Sequence, residues 1–425
     1  MEKQKSMDDL PVELIQKIFL MVPAKQLGRL RCVSKLWQSL ISDPHFAHSH
    51  FNLHSSTPSP SCLFVKAYTE AYFVHLDPLI NVSSESASVT EISLPFKKKK
   101  ASDFSLMGCC RGFVLLNQQR HFLVVWNPLT GSSKRISYSH IASRSKIPGF
   151  MFPTDAILYG FGYDDSQDDY LVVLAWLDNS TQQHLDCFSL RANSWISLDS
   201  ALSALPKPSV PCYWESCGLF LNGAIHWLSF PLRSYIDAIL VFDLKERSFS
   251  KISIPEQIVR CSTNLIVLGE CLALVIRENH KSYIWVMKEY KVQSSWTLMY
   301  EIPYCNSEAL CLSNGFGSDI ILLEYDDKHI QMRFAKYNAS GELLQHFSHP
   351  SICCYSRNCL GKFYFMYTES LLPFPSDLRD KDKKKKKKTG HRVRKNVSNN
   401  LRLLKIRITR GSNEENESGT SIHVR

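Results

Sequence analysis

The apolar positions of the first fifty residues follow a helical period. Leu14, Ile18 and Val22 recur every four residues, with Ile15 and Phe19 beside them, and this predicts an amphipathic helix with one apolar face. Pro11 stands in the first turn, where a helix tolerates proline. Asp8, Asp9 and Glu13 supply the negative charge that a helix start favours, and Pro23 ends the helix. A second helix is expected over Ala24 to Leu30. Ser34 can cap a third, in which Leu36 with Leu40 and Trp37 with Ile41 form adjacent ridges, and Asp43 with Pro44 opens a fourth. Helices this short hide too little of their apolar surface among themselves, because a fold below about 50 residues buries too small a share of its area, so a partner surface is expected.

After HSSTPSPS (54–61), which reads as a linker, the period changes to short apolar runs broken by turn residues. GFVLLNQ (112–118) and HFLVVWN (121–127) are two strands with a tight connection. FLNGAIHW (220–227) sets Asn222 and Gly223 between two more, a strong hairpin signal. The hairpins repeat: VHLDPLINVS, VVWNPLTGSS, CFSLRANSWI, VFDLKERSFS, MKEYKVQSSW and FAKYNASGEL place turn centres near residues 78, 129, 193, 246, 292 and 339. Spacings of about 46 to 64 residues suit propeller blades, and six units suggest a closed ring; the alternative is a β-sandwich with evenly spaced strands. The fold class expected is therefore α+β and multidomain. A small helical domain (1–53) and a linker (54–61) are followed by an all-β, propeller-like domain of about six units (62–375) and a basic, disordered tail (376–425).

Two resemblances are carried by these residues. Leu10, Pro11, Glu13, Val22, Pro23, the run Arg31 to Lys35, Trp37 and the closing Ile41 to Pro44 resemble an F-box. That resemblance implies docking on a Skp-type adaptor, and through it on a cullin scaffold, by Leu10, Pro11, Leu14, Ile18, Val22, Pro23, Leu27, Val33 and Trp37. Gly28 departs from the pattern, standing where the family usually has leucine. Glycine within a helix costs about 1 kcal/mol relative to alanine, so weaker adaptor binding is expected. From about residue 105 to 345, GCCRGFVLL, VVWNPLTG, YGFGYDDSQDDYLVVL, CFSLRANSWISL, GLFLNGAIHWLSF, ILVFDLKERSF and IWVMKEYKVQSSWTLMYEI resemble the successive motifs of the F-box-associated domain of plant F-box proteins. Together they imply a non-enzymatic substrate receptor of a Skp–cullin–F-box ubiquitin ligase, whose β domain holds a target protein for ubiquitination and degradation. A glycan-binding or enzymatic propeller is the alternative from another class.

Charge changes the picture at one end. The net charge of +10 hides 16 basic and 5 acidic residues from Arg379 onward, which leaves residues 1–378 at −1. Such a lysine run serves nuclear import or weak phosphate contacts. With no aromatic residue after Phe374 to stack bases, no nucleic-acid partner is expected, and the expected location is nucleus, cytoplasm or both. The N-terminus has no apolar segment and no run approaches a membrane span, so a soluble, intracellular protein without a membrane partner is expected.

Candidate chemistry is sparse. There is no nucleophile elbow, Walker loop, HExxH or dinucleotide fingerprint, and no cofactor or catalytic residue is expected. The fourteen cysteines contain no CxxC and read as small buried hydrophobes. His45, His48, His50 and His54 match no zinc spacing and read as an exposed helix end. Asp164, Asp165, Asp168 and Asp169 lack the order of a calcium loop and read as a solvated turn, so no metal is expected. For the target, the longest interval between repeats carries Arg144, Lys146, Phe150, Met151 and Phe152, a mix of cation and apolar anchors of the kind enriched at interfaces.

Overall fold

The apolar runs from Cys62 onward pair with their neighbours into four-stranded antiparallel sheets, and six such sheets form a ring of blades. In this computed structural model the described residues are 10–55, 62–67, 70–76, 89–96, 104–118, 122–145, 158–204, 217–229, 238–258, 262–278, 281–303, 307–312, 319–325, 331–353 and 364–375.

The N-terminal helices are α1 (Val12–Leu20), α2 (Ala24–Leu30), α3 (Lys35–Ile41) and α4 (Pro44–Ser55). Pro11 and Pro23 stand just before α1 and α2 rather than inside them. The Ser34 hydroxyl accepts from the Trp37 amide at 3.1 Å, and Asp43 Oδ1 accepts from the Phe46 amide at 3.1 Å, so both predicted caps are made.

The first blade is β1 (Cys62–Ala67), β2 (Glu70–His75) and β3 (Val89–Ile92), completed on its inner side by the last strand, β24 (Tyr364–Tyr367). The register runs from Cys62 opposite Tyr367 to Val65 opposite Tyr364, so the two ends of the domain close the ring. The second blade is β4 (Phe104–Cys110), β5 (Phe113–Gln118), β6 (Phe122–Trp126) and β7 (Ser133–Ser137). After it comes a short helix, α5 (Ser139–Arg144). The third is β8 (Leu158–Asp164), β9 (Asp169–Leu177), β10 (Gln183–Ser189) and β11 (Ser194–Ser197), and the fourth is β12 (Leu219–Leu221), β13 (Ala224–Ser229), β14 (Ala238–Asp243) and β15 (Ser248–Ser253). The fifth is β16 (Ser262–Leu268), β17 (Cys271–Glu278), β18 (Lys281–Met287) and β19 (Trp296–Pro303). The sixth is β20 (Ser307–Leu312), β21 (Ile320–Tyr325), β22 (Gln331–Tyr337) and β23 (Leu343–Cys353).

The repeat read from the sequence is the turn between the third and fourth strand of each blade. Five of the six turns are described, each with a left-handed residue: Gly131, Asn193, Arg247, Lys291 and Gly341. The turn near residue 78 lies outside the described residues. Asn222 and Gly223 are both left-handed, at φ 49° and 73°, as a tight hairpin requires. A ring of separate blades, rather than two facing sheets, decides against the sandwich.

Two clusters depart in part from their expected places: Asp165 and His45 are exposed as expected, while other members of each set are drawn into the fold. Asp164 and Asp169 are 1% and 3% exposed, because they serve the seams of the third blade. Asp164 meets Arg247 of the fourth blade at 2.9 Å, and Asp169 accepts from the Arg191 amide at 2.7 Å and from the Ser189 hydroxyl. Burial pushes the Asp169 carboxyl above its usual range, and those hydrogen bonds oppose the push. His50 and His54 likewise turn inward. Their Nε2 atoms lie 2.8 Å from the Val22 carbonyl and 2.9 Å from that of Leu20, at the end of α1, where helix carbonyls lack partners.

Candidate functional site: the helical face and the propeller floor beneath it

Adjacent rows of α1 have opposite fates. Ile15 and Phe19 are 0% and 1% exposed, in a core shared by the helices and the second and third blades. The neighbouring row stays outside: Leu10 is 37% and Leu14 44% exposed, Pro11 and Pro23 are exposed, and Ile18 and Val22 are half-buried. Val33, at 62%, belongs to the same open set. Leu27 and Trp37, grouped with these from the sequence, are core residues; the Trp37 ring packs edge-on against Phe19 at 5.1 Å. They shape the face from behind. The sequence reading missed Val12 (41%) and Met21 (79%), which extend the exposed apolar surface. Met21 lies between the counted positions Ile18 and Val22, off the i, i+4 row, so the periodicity passed over it.

The helices rest on one defined face of the ring. In a four-stranded antiparallel blade, the first-to-second and third-to-fourth turns emerge on one face, and the between-blade connections on the other. The contacts with the helices come from the first of these faces. A Cβ on Gly28 of α2 would stand 3.3 Å from Leu129 Cδ1, in the turn between β6 and β7. The Arg111 guanidinium, in the turn between β4 and β5, lies 4.5 Å from the Phe51 ring of α4 and 3.8 Å from the Tyr163 ring of β8. Lys25 Nζ approaches His75 Nε2 at 3.2 Å. Gly28 therefore lies at the seam with the propeller, where a leucine would meet Leu129. A side chain at this position would require Leu129 to give by a few tenths of an ångström.

The connection between β7 and β8 starts and ends on the opposite face. Arg144, the last residue of α5, is exposed, with its guanidinium 5.2 Å from the Trp176 ring. Lys146, Phe150, Met151 and Phe152 lie outside the described residues. On the same side, Trp176 stacks on His184 at 4.7 Å, and His184 bridges Asp199 (2.9 Å) and Asp178 (3.3 Å). Between the fourth and fifth blades, His226 is fully buried, with Nδ1 3.2 Å from the Leu219 carbonyl and Nε2 2.8 Å from the Tyr290 hydroxyl. Burial drives its pKa down to about 4. Burial also drives the Cys110 thiol up to about 12 and that of Cys187 equally far, so both are inert thiols. Among the described residues no group of three His, Cys, Asp or Glu side chains is placed to hold a metal ion, and no helix is long and apolar enough to cross a membrane.

Comparison with known proteins agrees with this geometry in two places. Residues 63–371 match the model of the F-box associated beta propeller domain, and residues 7–49 match that of the F-box domain. The F-box protein CPR1 of Arabidopsis thaliana is 30% identical over 320 residues, covering 70% of this chain and 73% of that protein. An F-box/kelch-repeat protein of the same plant is 29% identical over 346 residues, covering 78% of this chain and 88% of its own length.

Proposed function

The chain belongs to the F-box proteins that carry an F-box-associated β-propeller, and from that premise we propose that it is the substrate-recognition subunit of a Skp–cullin–F-box ubiquitin ligase. The observation that carries this reading is the divided surface of α1. One apolar row is spent on the propeller floor, while Leu10, Leu14 and their neighbours Val12, Met21 and Val33 stay open to solvent on a module that already has its core. Exposed leucines at this density mark an interaction site. A Skp-type adaptor is the partner that the family supplies for it, with a cullin scaffold beyond.

In such an assembly the receptor performs no bond chemistry of its own. It raises the local concentration of target lysines near a ubiquitin thioester held by another subunit. The target side is assigned to the face opposite the helices, where the between-blade connections emerge and where Arg144 ends α5; the candidate anchors Lys146, Phe150, Met151 and Phe152 follow it in the sequence, outside the described residues. Capture of a target there leads to its ubiquitination and degradation.

The test is adaptor binding by the full chain and by a Leu10→Ala, Leu14→Ala double variant. Fully burying an exposed leucine contributes about 1.5–3 kcal/mol and somewhat under half of each side chain is left to cover, so the double variant is expected to bind the adaptor about tenfold more weakly. Its melting temperature should fall by only a few degrees, because both side chains are no more than partly covered in the free chain. Undiminished affinity would overturn the assignment of this face.

A further inference from the structure

We infer that Ser370–Phe374, the segment following the closing strand β24, is a positioning element for the F-box, setting the orientation of the adaptor-facing helices from the far end of the chain; the inference rests on the adaptor reading above. Ser370, Leu372 and Phe374 are 1%, 1% and 4% exposed, and Leu371 is 7%. The segment is buried as deeply as any core strand, yet it belongs to no blade. Two chains of contact run from it to the helices.

The first passes through Asn127. Its Nδ2 donates to the Ser370 carbonyl at 2.9 Å and to that of Leu372 at 3.4 Å. Its Oδ1 accepts from the amides of Leu129 (3.0 Å) and Thr130 (3.1 Å). One fully buried amide thus ties the segment to the turn whose Leu129 fits against Gly28 of α2. The second chain is aromatic. Phe374 lies 4.9 Å from Phe113, Phe113 lies 4.7 Å from Tyr170, and Tyr170 lies 5.0 Å from Tyr163, all between ring centroids. Tyr163 and Phe51 of α4 then share the Arg111 guanidinium, whose Nε is buried without a hydrogen-bond partner and is held between the rings instead.

The two routes meet at one turn. Gly112 follows Arg111 at φ +82°, and a Cβ there would stand 2.2 Å from Ser370 Cβ. The segment therefore lies directly on the turn that carries Arg111, and only glycine admits it. Leu371, Leu372 and Phe374 share one apolar cluster with Ile15, Phe19, Leu27, Trp37, Phe46 and Phe51 of the helices. The helices are synthesised first, and the floor they rest on is finished by residues made more than three hundred positions later. A chain that lacks the segment presents an F-box with an incomplete base, even when its blades are closed.

The experiment compares the full chain with chains ending at Pro375 and at Glu369, reading adaptor affinity by calorimetry and amide hydrogen exchange in α4 and in the fifth blade. Both shortened chains keep β24. The chain ending at Pro375 should match the full chain. The chain ending at Glu369 should bind adaptor at least about tenfold more weakly and exchange α4 amides at least about tenfold faster, with the fifth blade unchanged. Tight adaptor binding with slow α4 exchange in the chain ending at Glu369 would overturn the inference. Should the fifth blade also lose protection there, Phe374→Ala in the full chain decides: faster α4 exchange upholds the inference, and unchanged exchange sinks it. Failure of the full chain to bind adaptor would count against the adaptor reading, while α4 exchange would still report on the positioning.

Discussion

At the scale of single residues, the sequence displayed chemistry whose job in the fold is joinery. Asp164, Asp169, His50, His54 and His226 are residue types that bind metals and move protons, and here each satisfies a partner on another element or turn, which for Asp164 and His226 belongs to the next blade. Spacing along the chain showed that these residues matched no metal motif. It could not show that Asp164 would meet Arg247, 83 positions away, because that pairing exists only once two blades stand side by side. His226 yields a prediction of its own. Its folded pKa, near 4, lies below the ordinary value of 6.5, so the unfolded chain takes up a proton in that window and the folded chain does not. Stability from this group is present above pH 6.5 and is lost as pH falls toward 4. Between pH 7 and pH 5 the loss should be about 2 kcal/mol. Urea unfolding at the two pH values should show it, and the difference should shrink by that amount in a His226→Gln variant, which is less stable at pH 7 but less sensitive to acid.

At the scale of elements, helices and hairpins were legible and blade edges were less so. Ser34 and Asp43 announced their caps, and Asn222 with Gly223 announced a hairpin, because these signals act within four residues. The blade repeat was visible through its turns but carried no glycine rhythm, since the left-handed position is filled by Arg247 in one blade and Lys291 in another. The strand that closes the ring, β24, could not be read: four residues pairing with a partner some three hundred positions earlier leave no local trace. For the connection between β7 and β8, strand parity gives the expectation that a Phe150→Ser, Met151→Ser, Phe152→Ser variant loses target capture in a proteasome-inhibited pull-down. Its melting temperature should hold to within about 2 °C, the change expected from a surface substitution. A fall of about 10 °C would instead assign these side chains to the core.

At the scale of the whole molecule, the composition pointed to separable parts, and the packing joins two of them. Helices and propeller form one compact unit from Met1 to Phe374, and their apolar core is continuous. A linker-like sequence beyond the fourth helix says nothing of what that helix packs on, and so the floor beneath it was invisible. The basic tail keeps its own reading: we propose nuclear import, from the lysine run Lys383–Lys388 and the basic residues that follow. A fluorescent fusion of the full chain should then concentrate in the nucleus and one ending at Pro375 should not; equal distributions would refute the proposal.

The way the ring is closed also gives the molecule a mechanical weak point. Among the described residues, a machine that pulls on the chain from beyond Pro375, as a proteasomal motor does, meets Ser370–Phe374 first and next the four-residue pairing between β24 and β1. The first is an irregular segment and the second is a short strand of the first blade. Under such a load the first step would strip the base from beneath the helices and the second would break the circle, leaving the blades to unravel from an open end. Of the described residues, the last to be synthesised are the first to bear that load.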